Sequence, residues 1–165
     1  MNETETVKAV KTALATALYR AVKDGATAIL DSGKQVLPVA LRYGDDATLF
    51  GMPLSMEDPD KARAVIAHAV AVWPVLAVIT EVWTARIKNP IEFDIDTETP
   101  PSQRADRQEG VLISVFVDGK VFKTGFLLFE RKKDGDKITV ARAQGWIESG
   151  GAISFETQAG SVFPS

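Results

Sequence analysis

Residues 110–130 read GVLISVFVDGKVFKTGFLLFE, and this stretch decides the fold class. Two runs of β-branched, aliphatic and aromatic residues flank Asp118-Gly119. A tight hairpin turn needs positive φ at both central positions; Gly takes it freely and Asp tolerates it. The pattern therefore predicts antiparallel strands over 110–117 and 121–130. Simple alternation puts Val121, Leu127 and Phe129 on one face and Phe122, Phe126 and Leu128 on the other. Downstream, Asp134-Gly135-Asp136 marks a second turn before a strand over 137–143. Upstream, 75–86 is almost continuously apolar as far as Thr80, the pattern of a central strand covered on both faces.

The N-terminal half supplies helices and one more hairpin. Val7, Val10, Leu14, Leu18, Ala21 and Val22 recur at spacings of three and four, which predicts a helix with one apolar stripe. Thr4 or Thr6 could cap its start. Asp24-Gly25 could end it, with a resumption over 26–30 and a stop at Ser32-Gly33. Strands over 35–43 and 47–52 are joined by Gly44-Asp45-Asp46. Pro38 cannot donate to a ladder, so the first of these lies at an edge or has Pro38 near its start. Asp58 followed by Pro59 is a favoured helix opening, and Ala62, Val65, Ile66, Ala69 and Val72 form the next apolar face before Pro74.

The order α-β-β-α-β-β-β-β predicts an α+β, two-layer sandwich. It has an antiparallel sheet of about five to six strands, with two helices on one face. This order loosely resembles the profilin and roadblock type of sandwich. Residues 1–143 read as one domain. Residues 144–165 are a Gly- and Ser-rich tail carrying Trp146, Ile153, Phe155 and Phe163, expected to pack on the sheet or on a partner.

Composition works by exclusion. The 165 residues contain no cysteine and one histidine, His68. That excludes a disulfide framework, a Cys nucleophile and a metal site needing two imidazoles. No Gly-x-Ser-x-Gly occurs, and Gly150-Gly151 lacks the residues of a phosphate-binding loop. His68 sits mid-helix without an evident orienting partner and reads as structural or surface. With 19 Lys+Arg against 22 Asp+Glu the net charge is -3, so nucleic acid is not an expected partner. The basic group Arg131, Lys132, Lys133, Lys137 and Arg142 reads as a solvated hairpin turn. The longest apolar run, 69–79, contains Pro74 and is shorter than the roughly 20 residues a membrane span needs. A soluble, cytoplasmic protein with no cofactor is expected.

Chemistry is left to carboxylates and arginines. Glu92, Asp94, Asp96 and Glu98 alternate along the 87–109 connection, and Asp94, Asp96 and Glu98 are weak candidates for a hard cation. Their plain reading is an acidic edge or loop. Glu81 interrupts an apolar strand, where a carboxylate is costly unless paired. Arg104 and Arg107 are its expected partners, because guanidinium can grip a carboxylate through two hydrogen bonds. The candidate ligand-binding set is Glu81, Trp83, Arg104, Asp106, Arg107 and Glu109.

Glu81-x-Trp83 followed by Pro101-Ser102-x-x-x-Asp106-Arg107-x-Glu109 resembles a pattern recurring in small uncharacterised bacterial and phage proteins. The resemblance implies no activity, only that these residues act together. The strands have apolar residues on both faces, more than two helices on one side can cover. A homodimer or a protein partner is therefore expected. The functional expectation is an accessory or interaction protein. The rival is a small-ligand-binding protein or carboxylate-based enzyme using Glu81, Arg107 and Glu109.

Overall fold

A computed structural model describes residues 2–54, 58–85, 107–142 and 145–150. In chain order the elements are α1 (Glu3–Asp31), β1 (Val39–Tyr43), β2 (Leu49–Pro53), α2 (Pro59–Val72) and β3 (Val75–Ala85). They are followed by β4 (Arg107–Val117), β5 (Lys120–Asp134), β6 (Lys137–Ala141) and β7 (Ile147–Ser149). The α+β class stands. The antiparallel sheet has seven strands, one more than the upper expectation, in the order β2-β1-β3-β4-β5-β6 with β7 paired to β5. The extra strand lies inside the segment expected as a tail.

The β4–β5 turn forms as the sequence requires, with φ of 50° at Asp118 and 81° at Gly119. Plain alternation fails just beyond it. A bulge sets Phe116 opposite Val121 but Val115 opposite Lys123. The extra residue reverses the phase of the strand start. Phe122 therefore joins the cluster containing Leu127 and Phe129, and Val121 packs with Phe116. The sequence reading had these two exchanged.

Helix α1 is capped by Asn2, not by Thr4 or Thr6. Its side chain accepts from the Glu5 N–H at 2.9 Å, and Glu5 reaches back to the Asn2 N–H. The helix runs unbroken through Gly25 and ends at Ser32-Gly33. There Gly33 at φ 78° lets the Lys34 N–H return to the Ile29 carbonyl. Its buried face is Ala15, Leu18, Tyr19, Val22, Ala26 and Leu30. Val7, Val10 and Leu14, members of the apolar stripe read from the sequence, remain 46%, 54% and 42% exposed. Helical spacing places them on a stripe rotated roughly a third of a turn from the buried one.

The two helices lie on opposite faces of the sheet, which corrects the expectation that both share one face. Leu18, Val22 and Leu30 of α1 pack on Ala77, Ile79, Val111, Ile113, Val115, Leu127 and Phe129. Ala62, Ile66, Ala69 and Val70 of α2 pack on Ala40, Leu76, Val78 and Phe116. Alternate residues of β3 thus feed two different cores, which is why its sequence is apolar without alternation. The Asp58 cap and Pro59 opening of α2 form as expected, with Asp58 accepting from the Lys61 N–H at 3.2 Å. Pro38 lies just before β1, whose neighbours are β2 and β3.

Candidate functional site

Glu81 does have a guanidinium partner, and it is Arg131. Arg131 Nη1 donates to Oε2 at 2.9 Å and Nη2 to Oε1 at 2.5 Å, so both carboxylate oxygens are held. The Val36 N–H adds a third donor to Oε1 at 2.7 Å. Arg131 also donates to the Lys34 carbonyl at 3.3 Å and lies 4.8 Å from the Phe129 ring centroid. Glu109 Oε1 stands 3.6 Å from the same guanidinium. The hydrogen bond to Glu81, reinforced by the charges of Glu81 and Glu109, holds the Arg131 pKa above its ordinary value against the opposing effect of burial.

The fold explains this partnership. β5 continues past the end of its pairing with β4, so Arg131 still belongs to a strand. By period two it shares the α1-side face with Leu127 and Phe129. Reading 131–142 as a solvated turn hid it. The bidentate pair ties β3, β5 and the 34–36 segment after α1 into one corner. Val36 is itself buried there, at 3% exposure.

Other expected residues fall as follows. Glu81 and Glu109 are brought together by Arg131. Trp83 and Arg107 are described by backbone register alone, Trp83 opposite Glu109 and Arg107 opposite Ala85. Arg104 and Asp106 lie outside the described residues, as do Glu92, Asp94, Asp96 and Glu98. Among the described residues no group of three or more His, Cys, Asp or Glu could hold a metal ion. His68 is exposed on α2. Arg142 pairs with Asp31 at 3.0 Å. Among the described residues no helix is long and apolar enough to cross a membrane.

A second polar corner went unread in the sequence. Glu148 of β7 accepts from Tyr19 Oη at 3.0 Å and from Lys23 Nζ at 2.6 Å, and Lys123 Nζ stands 3.8 Å away. Hydrogen bonding to Lys23 holds the Glu148 carboxyl below its ordinary pKa, despite some burial. Burial, then the bond to Glu148, pushes the Tyr19 phenol well above its usual range. Gly125 lies beneath this corner, since any side chain there would collide with the Tyr19 hydroxyl. Trp146 Nε1 donates to Thr27 Oγ1 at 3.2 Å and completes the seam between α1 and the β7 region.

Two surfaces stay open. One is the outer edge of β2, where Leu49, Phe50 and Met52 are 41%, 49% and 40% exposed. The Gly44 N–H donates to the Thr48 carbonyl, and the Leu54 N–H to the Pro38 carbonyl. With the β1–β2 register, these bonds direct the backbone groups of Phe50 and Met52 toward β1. Those of Leu49, Gly51 and Pro53 therefore point outward. The other is a groove of about 460 Å³ between the first half of α1, the end of β1 and the α2–β3 junction. The chain matches no family model, no curated protein and no solved structure.

Proposed function

We propose that this chain is a cytoplasmic accessory protein that acts by association, and that its first partner is a second copy of itself joined through β2. The observation that carries this is the β2 edge. It is an exposed strand with no ionisable residue from Ala47 to Leu54 and with outward-pointing backbone groups. Such an edge is a ready template for another strand. An antiparallel two-fold centred on Gly51 lets the two Gly51 residues exchange both backbone bonds. It sets each Leu49 N–H against a Pro53 carbonyl, and each Phe50 beside a Met52, a favourable sulfur–aromatic pairing. Pro53, which has no N–H to give, then leaves one acceptor in each half without a bond.

The catalytic rival finds less support. A carboxylate working on a ligand needs a free oxygen, and both oxygens of Glu81 are taken by Arg131 and Val36. Glu81 and Glu109 then read as the acidic members of a corner lock closed by Arg131.

Sedimentation velocity across the micromolar range tests the association. The wild-type chain is expected to shift from one to two times 17.8 kDa as concentration rises. Met52→Lys, which places a charge on the edge, is expected to stay at one. A wild-type monomer throughout, or a dimer indifferent to Met52→Lys, would sink the proposal.

A further inference from the structure

The groove at the first half of α1 carries a different inference, independent of self-association. Its walls are apolar: Val7, Val10 and Leu14 on one side, Tyr43, Trp73 and Val75 on the other. Its volume of about 460 Å³ falls within the ~300–1,000 Å³ common for small organic ligands. Two cations line it, Lys11 and Arg42. The Arg42 guanidinium stacks 3.6 Å from the Trp73 ring centroid and 5.2 Å from that of Phe50.

Stacking engages the flat face of a guanidinium and leaves its in-plane N–H groups free to grip an anion. Elsewhere these cations are satisfied. Lys11 pairs with Asp118, Lys23 with Glu148, Arg63 with Asp60, Arg131 with Glu81, and Arg142 with Asp31. Among the described residues no carboxylate lies within ion-pair distance of Arg42. An arginine held flat by two aromatic rings, beside an apolar groove and without an anionic partner among the described residues, is a site suited to an anion supplied from outside.

We infer that the groove binds a small amphipathic monoanion, a carboxylate carried on an aliphatic or aromatic body. The carboxylate meets the edge of Arg42, and the body lies along Val7, Val10 and Leu14. The other charged groups lining the groove are Lys11, already paired with Asp118 at 2.9 Å, and Asp45. Asp45 opposes a second negative charge, which favours a monoanion over a dianion. A cationic head group would face Arg42 directly and is disfavoured.

Titration of the full chain with decanoate, decanol and decyltrimethylammonium, followed by calorimetry and by NMR of the Val7, Val10 and Leu14 methyl groups, tests this. Decanoate is expected to bind and to shift those methyls, decanol to bind about tenfold or more weakly, and the ammonium compound weakest of all. Arg42→Gln should bring decanoate down to the affinity of decanol, leaving decanol unchanged. Val10→Glu should abolish both. Equal affinity for decanoate and decanol in the wild-type chain would overturn the inference without recourse to any variant. So would the absence of methyl shifts, or an Arg42→Gln variant that binds decanoate as before.

Discussion

The two ends of the sheet are built on opposite plans. At the far end, beyond β5, the outer edge is divided between β6 and β7, and each half is secured. Lys132, Lys133 and Lys137 charge the β5–β6 ribbon, Arg131 locks its root to Glu81, and Glu148 fastens β7 to Tyr19 and Lys23 of α1. At the near end, β2 has five exposed residues, no charge and outward backbone groups. Lysines and irregular pairing are the usual means by which a sheet blunts an edge. One sheet using them at one end and lacking them at the other points to an edge kept available. The closed corners belong to folding, and the open edge is where the proposed association would take place.

That contrast yields graded expectations. The largest effect on stability should come from Arg131→Ala. It strands the Glu81 carboxylate, which is only 14% exposed, at a cost of about 2 kcal/mol. The loss should appear in thermal melts as a fall of roughly 4–8 °C. A melt within one degree of wild type would place the lock outside the folding energetics. Next comes Gly125→Ala. Its methyl would collide with the Tyr19 hydroxyl and push α1 off the sheet, costing about 1–2 kcal/mol by overpacking. Tyr19→Phe in the same background should not restore the loss fully, because Tyr19 ring carbons also stand within 3.0 Å of the added methyl position.

A smaller, pH-dependent effect is expected at Glu148. Its folded pKa is depressed by Lys23, so its contribution is present above the unfolded value of about 4.3 and fades as pH falls through the lower folded value. The corner is a third exposed, which limits that contribution to about 1 kcal/mol or less. Glu148→Gln should therefore melt slightly below wild type at neutral pH, and the two curves should converge in acid. A difference that persists unchanged to low pH would remove the charge from the explanation. The smallest stability change belongs to Met52→Lys, within about 0.5 kcal/mol, because an exposed substitution away from any network is close to neutral. Its effect should be confined to association.

Much of this plan was legible in the sequence, for reasons that can be named. The Asp118-Gly119 turn, the Asp58-Pro59 helix opening and the two-sided apolar run of β3 each depend on local chemistry, and each formed as read. What escaped depends on geometry between distant segments. Arg131 lies 50 residues from Glu81, and only the overshoot of β5 past β4 brings them together. The bulge near Phe116 shifts the phase of β5 without any Gly or Pro to announce it. Helical periodicity found a stripe on α1, but not how the helix is rotated about its axis against the sheet. That left Val7, Val10 and Leu14 outside the core. Nor does an amphipathic helix state which face of a sheet it takes. α1 and α2 took one each, and α2 on the second face weakens the case for a partner drawn from the bare strand surface. The case rests instead on the edge.

Amide hydrogen exchange at that edge is the most direct test of the open-edge reading. In a dilute sample the Leu49 and Gly51 amides point into solvent and should exchange fast, while Phe50 and Met52, turned toward β1, exchange slowly. As concentration rises through the dimerisation range, Leu49 and Gly51 should gain protection while residues 137–141 of the guarded edge stay unchanged. Leu49 and Gly51 amides that exchange equally fast at every concentration, or protection that appears at 137–141 instead, would contradict it.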